Sequence, residues 1–550
     1  MTGEWGPEWD RVADVVVVGA GAAGATAAAV AAMAGVSVIV LEKAPVPGGT
    51  TAASRCQMWI PNNRFLADQG LTESREDTLR YMARTAYPVQ YRPDHPTLGI
   101  PPDRYRMLEA FYDEAAGVID TLVEAGIISL EPVDYPSYYA HLPEETCPVG
   151  RTLQPVLPPG HVPGRDPSGG QTLVDSLLGY AVGAGAEVLV DHRVAAVIRN
   201  EAGAVVGVEA RAGLATRLIG ARRGVIFTTG GFLHDPRLAL DYLKGPVLGG
   251  ASSPFATGDF VRIGIEAGAQ LGNMAHAWWD QVVVELVALN RATRGDVYAP
   301  YGDSMLMVNR HGRRVVNEKA PYNERAQVHF EWDPHRGEYP NLLLFMIFDQ
   351  AVVDRPTPAG SRSEEALFRW PVPSDERPRH YVIKAGSLEG LADELGRRLQ
   401  RLEPLTGGLR LDPAFLPNLF ATIERFNRFA RSGVDPDFRR GETPIEQRWA
   451  GPPRPGAPSA SIYPLAEQGP YYCVILGPGA LDTKGGPVTD HHGRVLGVGG
   501  HPIPGLYGAG NCVASPAGQA YWGPGGTIGP AVTFGALAAR HASAQVPRLP

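Results

Sequence analysis

The feature that most constrains the fold is a strand–turn–helix–strand segment near the start of the chain. In "DVVVVGAGAAGATAAAVAAMAGVSVIVLEK", a valine run leads through Gly19, Gly21 and Gly24 into an alanine-rich helix, and a second apolar run ends at Glu42. The first glycine permits a tight turn, the second lets the backbone approach a pyrophosphate, and the third packs helix on strand. The helix N-terminus favours phosphates, and Glu42 is placed to accept hydrogen bonds from a ribose. This pattern predicts a dinucleotide site on a parallel sheet.

Composition limits the remaining possibilities. The chain has 550 residues, too many for one ordinary core, so two or three domains are expected. The net charge of -8 argues against a nucleic-acid partner, which needs a basic face. The four cysteines lie far apart without a C-x-x-C pair, which predicts no metal cluster and suits a reducing cytoplasm.

Residues 14 to 41 form the longest apolar stretch and resemble a membrane span at first sight. Glycines interrupt the stretch, and its composition changes from valine to alanine and back to valine. We therefore interpret it as strand, helix and strand, and expect no transmembrane segment. The acidic N-terminus lacks the basic region of a secretory signal, which also favours a cytoplasmic location.

Three further glycine-rich segments favour a flavin over a nicotinamide cofactor. Directly after Glu42, "GGTTAAS" offers backbone N–H groups and hydroxyls to a second phosphate and a flavin, although an ordinary surface turn would look similar. "GVIFTTGGFLHD" and "GLYGAGNCVAS" each read as a strand that ends in a glycine turn. Strand ends that return to the sheet this late in the sequence are typical of a two-part flavin fold.

These segments and several others carry a resemblance to a known family. The chain resembles the flavoproteins that include fumarate reductase and succinate dehydrogenase, and within them the 3-ketosteroid Δ1-dehydrogenases and related cyclohexanone-type ketone dehydrogenases. The matching segments cover nearly the whole chain: "VVVVGAGAAG", "LEKAPVPGGT", "MWIPNN", "TTGGF", "GDFVRIGIEAGAQLG", "VNEKAPY", "TKGGPVTD" and "GLYGAGN" followed by "TIGPAVTFG". The resemblance implies an α/β flavoprotein of two domains, a discontinuous Rossmann-like FAD-binding domain and an inserted α+β catalytic domain.

The resemblance also implies which residues hold FAD. The helix that starts near Thr527 would place its N-terminal amides at the flavin pyrimidine. No histidine lies in "GGTTAAS", so FAD is expected to bind non-covalently. The predicted cofactor residues are Gly19, Gly21, Ala22, Ala23, Gly24, Glu42, Lys43, Gly48, Gly49, Thr50, Thr51, Ser54, Gly230, Gly231, Asp259, Gly510, Asn511, Thr527 and Ile528.

Residue types at two positions argue against a dicarboxylate substrate. Tyr322 stands where fumarate reductases of this family carry an arginine proton donor, and Leu481 and Asp482 replace their histidines before "TKGG". Because a dicarboxylate needs cationic partners, succinate or fumarate chemistry is disfavoured. Arg325 lies close enough in sequence to keep that alternative open.

The replacements suit a neutral ketone. By resemblance, the Tyr521 hydroxyl and the Gly525 N–H in "YWGPG" grip the ketone oxygen, and Tyr322 acts as the base that removes the α proton. Tyr138 is the best match for a tyrosine that hydrogen-bonds this base and lowers its pKa, with Tyr135 and Tyr139 as rivals. Trp522 either lines the pocket or belongs to the core.

The expected reaction is dehydrogenation of a cyclic ketone to the conjugated enone. Tyr322 takes the α proton and flavin N5 takes the β hydride on the opposite face. A 3-ketosteroid and a smaller ring, such as cyclohexanone or 4-oxocyclohexanecarboxylate, both remain open as substrates. A flavin-containing protein without a substrate of its own is a further alternative, and the electron acceptor is not identified by the sequence.

The motifs also suggest how the domains divide. We predict an FAD-binding domain over residues 1–280 and 467–550 and a catalytic domain over residues 281–466. The active site would lie in the cleft between them, where a flavin and an apolar ligand are shut from water.

Overall fold

A computed structural model describes residues 8–162, 166–292, 303–354 and 380–548. At its centre lies a sheet whose middle strand, Arg11–Val18, pairs in parallel with Val38–Leu41 on one side and Ala215–Phe227 on the other. Val15 to Val18 and Val38 to Leu41 are buried as continuous apolar runs. Such runs are typical of a parallel strand covered on both faces.

The central sheet has eight strands and is parallel in its core. Pro502–Gly508 pairs in parallel with Ala215–Phe227, and Glu187–Leu189 pairs in parallel with Val38–Leu41. Antiparallel strands Arg494–Leu496, His192–Arg199 and Val205–Ala212 extend it. The order along the main path is Arg494–Leu496, Pro502–Gly508, Ala215–Phe227, Arg11–Val18, Val38–Leu41 and Glu187–Leu189.

Helix Ala22–Met33 is buried on nearly all sides and contacts helices Gly169–Gly183 and Ile528–Ser543. Its alanines permit close approach: a Cβ on Gly535 would lie 2.5 Å from the carbonyl oxygen of Ala23. Helix Pro102–Glu124 packs against Ile528–Ser543 from outside. The C-terminal helix is thus fixed over the same sheet edge as the first glycine turn.

A second sheet of six strands is built around the long strand Tyr471–Thr483. This strand pairs antiparallel with Ala277–Val283, Leu344–Asp349 and Ile383–Ala385, and Met305–Val308 pairs with Leu344–Asp349. A parallel pair with Gly249–Gly250 completes the sheet. Leucines and phenylalanines of helices Leu388–Arg401 and Phe415–Ser432 pack on it.

The remaining elements are short. Two small sheets comprise Met58–Trp59, Thr152–Pro155 and Leu130–Val133, and Leu271–Gly272 with Gly486–Pro487. The other helices are Gly49–Ala52, Arg64–Asp68, Arg75–Ala86, Pro236–Tyr242, Asp259–Glu266, Val284–Val287, Tyr322–Arg325, Ala326–Phe330, Gln350–Val353, Glu403–Thr406, Pro444–Ala450 and Gly510–Cys512. Within the described ranges, no helix is both long and apolar enough to cross a bilayer.

The sheets bear on the predicted domain division. The second sheet includes strand Ala277–Val283, which crosses residue 280, and strand Tyr471–Thr483, which follows residue 467. It therefore extends beyond residues 281–466 at both ends, because its central strand belongs to the C-terminal segment. The α/β fold class is confirmed, whereas the domain boundaries stay a prediction.

Candidate active site

A long cavity, here called the cofactor cavity, opens at the carboxyl ends of the parallel strands. The first glycine turn, the loop after Glu42 and the N-terminus of helix Ile528–Ser543 surround it. Most predicted cofactor residues line this cavity: Gly19, Gly21, Ala22, Ala23, Glu42, Lys43, Gly49, Thr50, Thr51, Gly230, Asp259, Gly510, Asn511, Thr527 and Ile528.

The glycine turn leaves a cradle that fits a dinucleotide. Gly19 has φ +100, and a Cβ there would lie 2.6 Å from the carbonyl oxygen of Thr228. A Cβ on Gly24 would lie 1.9 Å from the carbonyl oxygen of Gly19, so the helix could not approach the turn. Gly49, at φ +49, has no atom within 4 Å of where its Cβ would be. Backbone is thus uncovered where phosphates would lie, at the positive end of a buried helix.

The acidic and basic residues of the cavity are already engaged with the protein. Glu42 accepts hydrogen bonds from the Ala20 N–H at 2.9 Å and the Ala44 N–H at 2.8 Å. Lys43 Nζ lies 2.9 Å from Asp259, which also contacts Arg193 at 2.7 Å. Although burial opposes the effect, these two cations lower the pKa of Asp259. The Asp259 carboxylate therefore stays ionised beside the cavity, and the ribose contact of Glu42 stays a prediction.

Four predicted cofactor residues lie behind the surface of the cofactor cavity. Gly24 and Gly48 shape the two turns, since a Cβ on Gly48 would lie 2.5 Å from the Ala52 Cβ. Gly231 donates its N–H to Asp482 Oδ2 at 2.9 Å. Ser54 donates to the Thr51 carbonyl at 2.8 Å and lines the neighbouring cavity. These residues support the loops that would touch the cofactor.

A second cavity, here called the substrate cavity, adjoins the first. The two share the wall residues Thr50, Thr51, Asp482, Asn511, Thr527 and Ile528. The substrate cavity also contains all four predicted catalytic residues: Tyr138, Tyr322, Tyr521 and Gly525. A ligand in it would therefore lie next to the part of the cofactor cavity formed by the C-terminal helix.

Three tyrosines from distant segments meet at this cavity. The Tyr138 hydroxyl donates to the Tyr322 hydroxyl at 2.9 Å. The ring of Tyr521 lies 5.4 Å from that of Tyr322 and 5.3 Å from that of Tyr138, both edge to face. Of the two rivals, Tyr139 donates to Glu324 Oε1 at 2.5 Å, and Tyr135 forms part of the wall of the same cavity. Tyr138 thus hydrogen-bonds the predicted base.

The pKa of the predicted base differs from the expectation. Burial, followed by the neighbouring phenols Tyr138 and Tyr521, raises the pKa of Tyr322 well above 10. The expectation that Tyr138 lowers this pKa is wrong, because burial disfavours a phenolate and the contact with Tyr138 raises the pKa further. Burial also raises the pKa of Tyr521 to about 12, against hydrogen bonds from Tyr322 and Thr527. The three phenols are therefore neutral at neutral pH.

Gly525 combines a constrained backbone with an available amide. Its φ is +93, and a Cβ there would lie 2.4 Å from the Gln57 carbonyl oxygen. The Gly525 carbonyl accepts from the Trp59 N–H at 3.1 Å. Among the hydrogen bonds of the described residues, none uses the Gly525 N–H. A ligand oxygen in the substrate cavity therefore has a main-chain donor within the same segment as Tyr521.

Three residues in or beside the substrate cavity have positions that the sequence did not predict. Asp482, noted only as a histidine replacement, borders both cavities, and burial raises its pKa to about 6 against N–H donors from Gly231 and Thr483. Trp449 lines the substrate cavity without any motif to mark it. Trp522 belongs to the core, fully buried against Trp59 and Phe111.

Arg325 does not replace the missing arginine of a reductase. Its guanidinium is fully buried and donates to Gln281 Oε1 at 2.6 Å and to the Ala320 carbonyl at 2.8 Å. It is absent from the residues that line the two cavities. Within the described part of the chain, no cluster of His, Cys, Asp and Glu suits a metal ion.

This fold and these two cavities define an FAD-dependent oxidoreductase. Residues 14–528 match the FAD binding domain family, and the chain belongs to that family. Its curated relatives include 4-oxocyclohexanecarboxylate 2-dehydrogenase of Sinomonas cyclohexanicum, 31% identical over 97% of this chain and 93% of the relative. A second is 3-oxosteroid 1-dehydrogenase of Mycolicibacterium smegmatis, 31% identical over 96% of both chains.

A solved structure extends the similarity to the fold. The 3-ketosteroid Δ1-dehydrogenase from Sterolibacterium denitrificans, in complex with 1,4-androstadiene-3,17-dione, superposes with a TM-score of 0.78 at 25% identity, over 97% of this chain and 100% of that chain. These similarities confirm the family resemblance, the flavoprotein fold class and FAD as cofactor, and they place the chain among relatives named as dehydrogenases of cyclic ketones.

Proposed function

We propose that the protein introduces an α,β double bond into a cyclic ketone, in the manner of a 3-ketosteroid Δ1-dehydrogenase. One observation carries this proposal. The hydroxyls of Tyr138, Tyr322 and Tyr521 converge with the unused Gly525 N–H on a cavity that joins the cofactor cavity. Neutral donors of this kind suit a ketone better than a dicarboxylate.

The ketone oxygen lies between the Tyr521 hydroxyl and the Gly525 N–H. Both donors are fixed before substrate arrives, since Gly525 is held against Gln57 and Tyr521 packs at 4.9 Å on the Trp278 ring. Fixed donors stabilise the negative charge that develops on the oxygen when the α proton leaves. Loss of one such donor typically costs about 2.7–4 kcal/mol of barrier.

Tyr322 removes the α proton as phenolate. Its hydroxyl accepts a hydrogen bond from Tyr138, which stabilises the phenolate once it forms. Because burial raises its pKa, only a small fraction of Tyr322 is ionised at neutral pH, and that fraction is a strong base. Bound FAD, held without a covalent bond by the cofactor cavity, supplies the acceptor for the β hydride at N5.

The proposal also concerns the size of the ring in the substrate. A 3-ketosteroid is the first candidate, by analogy with the steroid dehydrogenases among the relatives. A small ring is the second, because 4-oxocyclohexanecarboxylate 2-dehydrogenase is equally similar in sequence. Both need the same donors and base.

Anaerobic titration of the FAD-loaded protein tests the function. Androstenedione, cyclohexanone and 4-oxocyclohexanecarboxylate are added in turn, and the flavin absorbance is followed. Bleaching with formation of the matching enone is expected for at least one ketone. The proposal fails if none of these ketones bleaches the flavin while dithionite does.

A further inference from the structure

A fully buried lysine lies behind Tyr521 and has no part in the proposed chemistry. Lys484 Nζ donates to the Ala520 carbonyl at 2.8 Å and lies 4.1 Å from the centroid of the Trp278 ring. An isolated buried ammonium is costly, so its position needs a compensating function. Ala520 precedes Tyr521, and the Trp278 ring packs against the Tyr521 ring. Lys484 thus contacts Ala520, which precedes Tyr521 in sequence, and Trp278, which packs against the Tyr521 ring.

The other side of the same peptide unit is held as well. The Tyr521 N–H donates a long hydrogen bond of 3.4 Å to the Tyr139 hydroxyl, which itself donates to Glu324 Oε1 at 2.5 Å. Glu324 also accepts from Asn323 Nδ2 at 2.6 Å. Glu324 belongs to the short helix Tyr322–Arg325, the first residue of which is the proposed base. One chain of contacts therefore runs from the backbone of Tyr521 to the helix of Tyr322.

We propose that Lys484 and the Tyr139–Glu324 pair clamp the Ala520–Tyr521 peptide from opposite sides and thereby set the distance between the Tyr521 and Tyr322 hydroxyls. The inference rests on the proposed function of these two tyrosines. Lys484, Tyr139 and Glu324 are positioning residues, because they act through Tyr521 and Tyr322 rather than on the substrate. Tyr139 is then a structural counterpart of Tyr138, one residue along the same loop.

The clamp explains why Glu324 and Lys484 lie so close to a site for a neutral ligand. Carbonyl and N–H of one peptide unit point in opposite directions, so two contacts fix its rotation. Rotation of that peptide would move the Tyr521 hydroxyl relative to Gly525 and Tyr322. A displacement of about 1 Å in a reacting group costs on the order of 100-fold in rate.

The test uses FAD-loaded protein and two conservative variants, Tyr139→Phe and Lys484→Met. Lys384→Met is the control for loss of a lysine, since Lys384 is exposed, its Nζ lies 5.4 Å from the Tyr472 ring in the second sheet, and it lines neither cavity. Each protein is assayed for the rate of flavin bleaching by the ketone that reduces the wild type. Hydrogen exchange of the segment around Ala520 and Tyr521 is measured by mass spectrometry on the same samples.

Both variants are expected to retain FAD, to bleach about 10-fold to 100-fold more slowly, and to exchange the Tyr521 amide faster. In a Tyr521→Phe background, Lys484→Met should change the rate less than twofold, because the clamp acts through the hydroxyl already removed. Multiplicative effects in the double variant would overturn the inference. So would unchanged exchange in Tyr139→Phe, which remains informative if Lys484→Met does not fold.

The exchange measurement separates this inference from the proposed function. If no ketone bleaches the wild type but the variants exchange faster, the clamp exists and the assigned chemistry is wrong. If the wild type is bleached but variants and control behave alike, the chemistry stands and the clamp is wrong.

Discussion

The cofactor cavity and the substrate cavity share a wall but expose different chemical groups. The wall of the first contains glycine turns, in which Gly19, Gly21 and Gly49 leave no side chain. The second presents side-chain hydroxyls of Tyr138, Tyr322 and Tyr521. Backbone turns are specified by a few consecutive residues, whereas the three phenols come from separate segments. Each glycine turn is therefore a local property of this chain, whereas the contacts among the three phenols depend on tertiary packing.

A substitution that disrupts the first glycine turn should have the largest effect on activity. In Gly24→Ala, the new Cβ would lie 1.9 Å from the Gly19 carbonyl oxygen, so helix and turn must separate. We expect protein without bound FAD, and therefore without activity on any ketone, as measured by the 450 nm flavin absorbance after gel filtration. Gly117→Ala is the control, because its Cβ meets no atom within 4 Å in an exposed face of helix Pro102–Glu124. Loss of FAD from the control as well would contradict this explanation.

Breaking the substrate cavity should leave the cofactor cavity intact. Tyr322→Phe removes the base and the acceptor for the Tyr138 hydroxyl without changing the ring. We expect normal FAD binding and bleaching slower by about 10²–10⁴-fold, the usual contribution of a general base. Tyr135→Phe, which removes a hydroxyl from the wall of the same cavity, should stay close to the wild-type rate. A near wild-type rate in Tyr322→Phe would show that another group takes the proton.

The pH dependence sharpens the assignment of the base. Because burial raises the pKa of Tyr322 well above 10, the phenolate fraction increases about tenfold per pH unit throughout the neutral range. The logarithm of the bleaching rate should therefore rise with a slope near 1 between about pH 7 and 9. Stopped-flow bleaching at saturating ketone measures this slope. A plateau near neutral pH would mean that bound ligands lower the pKa of Tyr322 or that the base is a different residue.

The smallest expected effect concerns the free energy of unfolding, which burial of Lys484 lowers. Burial lowers the pKa of Lys484 from 10.5 to about 7, against the attraction of Glu324. Between these values the unfolded chain holds a proton that the folded chain has lost, so the free energy of unfolding rises with pH. In Lys484→Met this rise should be less steep by up to about 1.4 kcal/mol per pH unit, measured by urea unfolding at pH 7.5 and 9. Equal slopes for variant and wild type would contradict the depressed pKa.

Several parts of the molecule were predictable because the responsible residues are close together in sequence. The strand, the turn at Gly19 and the helix after it follow from the order of valines, glycines and alanines. The flavoprotein class and FAD were predicted from that motif and the family segments, and similar proteins confirm them, whereas the ketone dehydrogenase activity is a proposal that the names of the relatives support.

The parts that were wrong or missed depend on burial. The predicted direction of the Tyr322 pKa shift was wrong. A sequence can indicate a hydrogen-bonding neighbour, but it does not show that the hydroxyl is removed from water. Trp522 is next to Tyr521 in sequence yet packs in the core against Trp59 and Phe111, and adjacency in sequence does not show which of two neighbouring rings lines a cavity. Trp449 borders the substrate cavity without any local pattern to mark it, and Asp482 was predicted only as a replacement for a histidine.

The sequence by itself determined the nucleotide turn, the strands and helix that flank it, and the identity of the tyrosines proposed for catalysis. Tertiary structure alone decided that Tyr138 donates a hydrogen bond to Tyr322, and that Lys484 reaches the peptide before Tyr521. The physical reason is the separation in sequence of the residues that interact. Backbone conformation is set by neighbouring residues, whereas a distance between two hydroxyls 184 positions apart is set by how whole sheets and helices pack.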